Sequence, residues 1–312
     1  MTGWKEVILT HSILPSWREG ETRASIVNFL DNAAEIPPGD RVAVFDNDGT
    51  MWAEKPNYTQ LEFWLLELQS AIALNPDLAD RPEFRAVLAN DRAALDQLGL
   101  ERLGTAFLDL FAGITPEAFN AKVVSFFAEE VHPVRKVRYL QTRYQPMLEL
   151  MDELRSRGFD FYIVSAGGAE FMRAIGEDFY GVKPEGIVGS QIDYEASRDV
   201  SGTLRLLRTN RLVGSGPNEG PGKPPNIQRI LGRRPCVAGG NSAGDTEMLE
   251  YALAYDGPSL ALLVNHDDDD REYAYESVAG TVSANERITN TAARLGWTVA
   301  SIKRDWLTVF SN

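Results

Sequence analysis

The chain has 312 residues, 44% hydrophobic and 24% charged, a composition that supports a full globular core and argues against disorder. Its 31 basic and 45 acidic residues leave a formal charge of −14, which argues against nucleic-acid binding by phosphate neutralisation. No apolar run approaches the ~20 residues of a membrane span, the N-terminal patch is broken by His11 and Pro15 and lacks the pattern of a signal peptide, and the single Cys236 cannot form an internal disulfide, so a cytoplasmic location without membrane contact is expected.

Residues 23–35 read as an amphipathic helix, closed by Pro37-Pro38-Gly39. Residues 41–45 form a short apolar run flanked by turn signals, the pattern of a strand buried on both faces. From 55 to 144 helical patterns recur (61–74, 83–98, 117–130) without a convincing strand. One crossover needs only one helix, so four between two core strands predict an inserted helical cap at 55–144, with the core made of 1–54 and 145–312. A helix over 146–157 and a strand over 159–164 follow. The stretch 186–213 reads as an antiparallel hairpin or flap, and 214–225 as loop. A helix at 226–231 and strands at 235–238 and 260–264 complete the alternation. Strands alternating with helices predict an α/β fold with a Rossmann-like parallel sheet.

Polar residues collect where these strands end. The first strand runs into Asp46-Asn47-Asp48-Gly49-Thr50. Two carboxylates just after a buried strand are costly alone, and a divalent cation such as Mg²⁺ would offset them; the same residues also suit a turn. The second strand ends in Ser165-Ala166-Gly167-Gly168, either an anion site at a helix start or a plain capped turn. Lys223 precedes a helix, and the third strand ends in Gly239-Gly240-Asn241, with Asp245 four residues on. Ligands of open parallel sheets bind at the carboxyl ends of strands, and four separate segments converge there.

In order, Asp46-Asn47-Asp48-Gly49-Thr50, Ser165, Lys223 and Asn241-x-x-x-Asp245 resemble the four motifs of the haloacid dehalogenase-like hydrolase superfamily. The cap inserted between the first two motifs resembles its phosphoserine-phosphatase-type branch. Leu14-Pro15-Ser16-Trp17 and residues 271–275 are similar to an acid-phosphatase-like bacterial subgroup. The resemblance implies a Mg²⁺-dependent phosphatase acting on a small phosphorylated metabolite. Asp46 would be the nucleophile, Asp48 the general acid and base, and Lys223 would neutralise charge. Ser165, Ala166 and Gly167 would hold the phosphoryl group. Asp46, Asp48, Asn241 and Asp245 would bind the metal, and Glu54 would contact substrate. The family commonly has aspartate where this chain has Asn241, which leaves open whether Asn241 or Asp245 is the direct ligand.

A haloacid dehalogenase, a phosphomutase and a non-catalytic binding module of the same fold are the alternatives, and a homo-oligomer is compatible with the sequence. The rings Phe63, Trp64, Phe126 and Phe127 read as cap core, and Cys236 as a buried strand residue. Nothing makes His132 a ligand. The run His266-Asp267-Asp268-Asp269-Asp270 reads as a solvated acidic stretch ahead of a cation site. A cap over the site predicts a mobile lid, hinged near 54–56 and 143–146.

Overall fold

β1 (Val42–Phe45) is the centre of the fold, and its composition explains why. Val42 and Val44 join the apolar cluster on one face of the sheet, Ala43 and Phe45 the cluster on the other, and all four are fully buried. Such an unbroken apolar run belongs in a sheet covered on both sides. The computed structural model describes residues 13–214, 216–283 and 285–312; the N-terminal patch with His11 lies outside the described residues.

Seven further strands follow: β2 (Asp160–Gly168), β3 (Ile187–Ser190), β4 (Ile192–Arg198), β5 (Leu204–Leu212), β6 (Val237–Gly240), β7 (Leu260–Asn265) and β8 (Thr298–Ser301). Six form one parallel sheet in the order β3-β2-β1-β6-β7-β8, so the fold is α/β and Rossmann-like. Phe45 lies opposite Ile163 on β2 and opposite Gly239 on β6. The chain winds outward from β1 to β3 and then returns to the other side at β6. The topological switch therefore falls between β1 and β6, where a ligand crevice opens.

The helices are α1 (Glu21–Asn32), α2 (Thr59–Leu74), α3 (Pro82–Leu88), α4 (Arg92–Leu98), α5 (Leu100–Asp109), α6 (Pro116–Glu129) and α7 (Gln145–Ser156). After them come α8 (Ala169–Arg173), α9 (Gly176–Tyr180), α10 (Lys223–Leu231), α11 (Thr246–Leu253), α12 (Ile288–Leu295) and α13 (Ile302–Asp305). Leu30 of α1 and Leu150 and Leu154 of α7 pack with Phe45 and Phe161 on one face. Met248 and Leu249 of α11 and Ala292 of α12 pack with Val42 and Val44 on the other. Among the described residues no helix is long and apolar enough to cross a membrane.

Helices α2 to α6 separate β1 from α7 and have a small core of their own, made by Leu68, Phe84, Ala106 and Phe107, with Trp64 stacked on Phe107. The other aromatic residues expected there do not serve that layer alone. Phe63 contacts Phe111, Phe119 and Phe126, but also Phe171 of α8. Where the chain leaves and re-enters the core its two strands pair: Ala53 N–H donates to Thr142 at 3.0 Å and Tyr144 N–H to Met51 at 2.9 Å. The β4–β5 ribbon closes at its base through Val213 N–H to the Gln191 carbonyl, 2.8 Å.

Several expectations need correction. The helix read over 83–98 is two, because Asn90 adopts φ 48° and Asp91 caps a new helix by accepting from Ala94 N–H. The helix α5 was not expected; its start at Gly99, with φ 76°, looks in sequence like the end of the preceding pattern. The stretch 186–213 is not all flap. Residues 187–190 of it are β3, a strand with Gly189 where a Cβ would lie 2.8 Å from the Ala169 backbone. Lys223 is not in a loop but begins α10. Pro224 and Pro225 suit that first turn because its N–H groups have no helical partners.

Candidate active site

Asp46 is the first residue beyond β1, and its N–H extends the ladder by donating to the Gly239 carbonyl at 2.9 Å. The chain then turns on Asn47, whose carbonyl accepts from Thr50, Met51 and Trp52. Gly49 takes φ 73° in this turn, and a Cβ there would lie 2.0 Å from the Asn241 amide nitrogen. The glycine is thus required twice, for its dihedral and for the approach of β6. The Gly239-Gly240 pair serves packing too: Cβ atoms on them would meet Phe45 at 2.3 Å and Asp245 at 2.4 Å.

Lys223, 1% exposed, reaches in from α10 and ties three segments together. Its ammonium donates to Asp46 Oδ1 at 2.7 Å, Asp245 Oδ1 at 2.6 Å and the Val164 carbonyl at 3.0 Å. Burial works to lower the Lys223 pKa, but the Asp245 and Asp46 carboxylates outweigh it and hold it above the ordinary lysine value. Burial also lifts Asp46 well above the usual carboxylate range, against the pull of Lys223. The second Asp46 oxygen accepts no hydrogen bond among the described residues.

Asp245 has no such free oxygen. Its Oδ2 accepts the N–H groups of Asn241 and Ser242, both at 3.0 Å, while Oδ1 holds Lys223. This aspartate anchors the lysine and the β6 loop, which leaves Asn241 as the residue at the end of β6 with oxygen to offer a cation. The Asn241 Nδ2 faces Glu54 Oε1 at 3.4 Å and Ser277 Oγ at 3.3 Å, and its Oδ1 accepts from Thr50 Oγ1 at 3.4 Å.

Asp48 is half-buried, and burial raises its pKa to about 6, with Glu54 adding to the rise and the Trp52 indole opposing it. Trp52 donates its Nε1–H to Asp48 Oδ1 at 2.8 Å and is itself fully buried, stacked on Phe127 of α6 and set edge-on to Phe179 of α9. The motifs give this tryptophan no role, and its spacing four residues after Asp48 in a tight turn is the signal the sequence offers. Glu54 is 5% exposed and its pKa is raised by burial, so it is no surface residue.

Ser165 is buried at the end of β2, beside the Val164 carbonyl that Lys223 grips. Its Oγ accepts from Gly167 N–H at 3.0 Å, and Gly168 N–H donates to Gln60 Oε1 of α2 at 2.9 Å. The Ala166 carbonyl accepts from Ser190 Oγ at 2.6 Å, and Asn218 Nδ2 donates to the carbonyls of Ser165 and Val188. Gln60, Ser190 and Asn218 act through long-range bonds that no local spacing announces.

The acidic stretch 266–270 builds structure. His266 Nε2–H donates to the Gly49 carbonyl at 2.8 Å and Nδ1 lies 3.1 Å from Glu272 Oε2. Asp267 accepts from Ser301 Oγ and Lys303 N–H, and Asp268 pairs with Arg271. His132 accepts the N–H groups of Val134 and Arg135 at Nδ1, so its Nε2–H donates to the Lys55 carbonyl at 2.9 Å. Among the described residues no three His, Cys, Asp or Glu side chains group as a ready metal cluster.

Over the ribbon, Arg208 of β5 is 4% exposed, paired with Glu170 of α8 at 2.8 Å and set over the Phe119 ring at 3.8 Å. The main chain joins in: Gly113 N–H donates to the Arg208 carbonyl at 2.8 Å, and Arg208 N–H to Ile114 at 2.9 Å. The helical layer and the ribbon are thereby joined along one seam.

The family described as haloacid dehalogenase-like hydrolase matches residues 43–250, a span that includes every one of these motif residues. A conserved protein of unknown function from Anaerococcus prevotii DSM 20548 has a similar structure, at TM-score 0.51 and 16% identity over 83% of this chain and 89% of that one. A second of unknown function, from Bordetella pertussis Tohama I, matches at TM-score 0.52 and 17% identity over 83% and 97%. These likenesses speak for the fold. No curated protein matches the chain significantly.

Proposed function

The chain belongs to the haloacid dehalogenase-like hydrolase family, and from that premise we propose that it is a phosphatase that hydrolyses a small phosphomonoester through an aspartyl-phosphate on Asp46. The observation that carries this reading is the pairing of two unlike aspartates. Asp46 has one oxygen paired with the Lys223 ammonium and the other free, while Asp48, two residues on, is bonded by the neutral Trp52 indole instead of a cation, and burial raises its pKa to about 6. A nucleophile and a proton donor in that relation suit a leaving group that departs as an alcohol.

In the first step the free Asp46 oxygen attacks phosphorus and the bond to the leaving oxygen breaks, while Asp48 gives that oxygen its proton. In the second, Asp48 takes a proton from water, the water oxygen attacks phosphorus, and Asp46 is released as carboxylate. Lys223 balances the charge of Asp46 throughout. Ser165 and the N–H groups of residues 166 and 167 receive the phosphoryl oxygens at the end of β2, with Ser165 Oγ released from Gly167.

The residues present fit Mg²⁺. Asp46 feels the charges of Asp245 and Asp48, and Asp48 that of Glu54, while the Lys223 ammonium bonds only Asp46 and Asp245 of these four. The oxygens that would hold Mg²⁺ are hard ones, Asp46 Oδ1 shared with Lys223, the Asp48 carbonyl and Asn241 Oδ1 shared with Thr50, which leaves the free Asp46 oxygen for attack. A bound Mg²⁺ would offset the repulsion between Asp46 and an anionic phosphate. We place the activity in the cytoplasm, because the one cysteine is buried and free and the fold needs no disulfide.

Phosphate release measured over sugar phosphates, phospho-amino acids, nucleotides and head-group phosphates, with and without Mg²⁺, tests the proposal. Asp46→Asn should abolish turnover on every substrate found, and chelation should remove activity that Mg²⁺ restores. Turnover within tenfold of wild type in Asp46→Asn would refute it, and full activity after exhaustive chelation would favour a dehalogenase.

A further inference from the structure

Glu54 is the buried carboxylate for which the proposed chemistry has no use. Its resemblance-based role is to touch substrate, yet it is 5% exposed and packed behind the Asp46–Thr50 turn. A Cβ on Gly49 would sit 2.9 Å from Glu54 Cδ and 2.8 Å from Asn241 Cγ, so Glu54 and Asn241 press on the same face of that glycine. Glu54 Oε1 lies 3.4 Å from Asn241 Nδ2. A carboxylate only accepts, so this contact decides which end of the amide faces Glu54: the nitrogen does, and the oxygen is turned to the other side, toward Thr50.

We propose that Glu54 is the positioning residue of the metal site: it orients Asn241 so that the carbonyl oxygen faces the cation, and it supplies the negative charge that the amide lacks. This inference rests on the metal-dependent reading above. An amide ligand is neutral, and Asp245 cannot make up the missing charge because Lys223 and two N–H groups already occupy it. Glu54 is the carboxylate in hydrogen-bond contact with that amide. Around it stand Lys55, His266, Tyr275 and Glu272, of which Lys55 and His266 favour its charge and Glu272 opposes it. A carboxylate–amide–metal relay is the same device by which outer carboxylates orient metal-bound side chains elsewhere.

The test is a charge transfer between the two positions, read by calorimetric titration of the metal-free protein with Mg²⁺ and, in parallel, by electron paramagnetic resonance with Mn²⁺. Glu54→Gln keeps the size and an acceptor oxygen but removes the charge, and should weaken Mg²⁺ about tenfold or more. Glu54→Gln combined with Asn241→Asp moves the charge onto the ligand itself and should bring affinity back to within about threefold of wild type. A purely structural glutamate would not be rescued by a charge at position 241. Equal affinity of Glu54→Gln and wild type overturns the inference, as does a double variant that folds but stays as weak as Glu54→Gln. Should Glu54→Gln fail to fold, the double variant alone decides, since it must both fold and bind. Failure of the wild-type protein to bind either ion would instead strike at the metal-dependent reading itself.

Discussion

Replacing Lys223 with methionine removes one positive charge from the centre of the site while keeping the side chain's length. The wild-type ammonium is 1% exposed and bridges Asp46 and Asp245 at 2.7 and 2.6 Å. Without it two carboxylates face each other in a buried setting. Removing one partner of a buried ion pair costs about 3–5 kcal/mol, which for a chain of 312 residues lowers Tm by about 5–8 °C. The loss must depend on pH with a definite sign. Burial already raises the Asp46 pKa above its unfolded value, and loss of Lys223 raises it further. The folded variant therefore holds protons that the unfolded chain releases, so its stability falls as pH rises from about 4 through that raised value. Thermal melts of metal-free Lys223→Met and wild type should differ most at pH 8 and least at pH 5. An equal difference at both pH values, or one below about 3 °C at pH 8, would refute the account of Lys223 as the charge that holds the site together.

Trp52→Phe keeps a ring against Phe127 and Phe179 but deletes the donor to Asp48. Initial-rate measurements should show kcat lower by about tenfold or more with KM within threefold, as expected for loss of one bond to a charged group; an unchanged kcat would remove Trp52 from the site. Arg208→Met breaks the pair with Glu170 but leaves the main-chain bonds to Gly113 and Ile114. Hydrogen exchange followed by mass spectrometry should quicken over 105–125 and 204–212, and exchange matching wild type would show that the main chain alone holds the seam.

Much of the core was readable in the sequence, for a physical reason. A strand covered on both faces must be apolar throughout, so 41–45 stands out, and the carboxylates that follow it stand out by contrast. The parallel order of the sheet then brings Asp46, Ser165 and Asn241 to adjacent strand ends without further information. Other features are invisible locally. Arg208 sits among three other arginines of a polar-looking ribbon, and partners distant in sequence, Phe111, Phe119 and Glu170, bury it. Glu54 reads equally as surface or pocket until Asn241 and Gly49 close over it. Asp245 and Asn241 look interchangeable in the motif, and only the reach of Lys223 separates them.

The seam between ribbon and helical layer has a kinematic consequence. The layer joins the core at the paired strands around Ala53 and Thr142, and the ribbon joins it at Gln191 and Val213, while Arg208 welds the two to each other. A body fixed at one point can swing in any direction, but a body fixed at two turns only about the line through them, as a door does. Any opening that releases the Arg208–Glu170 pair but spares the main-chain bonds of Arg208 to Gly113 and Ile114 is therefore a single rotation with one degree of freedom. Paired spin labels placed on the ribbon tip near Gly202 and on α4, each measured against α12, should then change their distances in step.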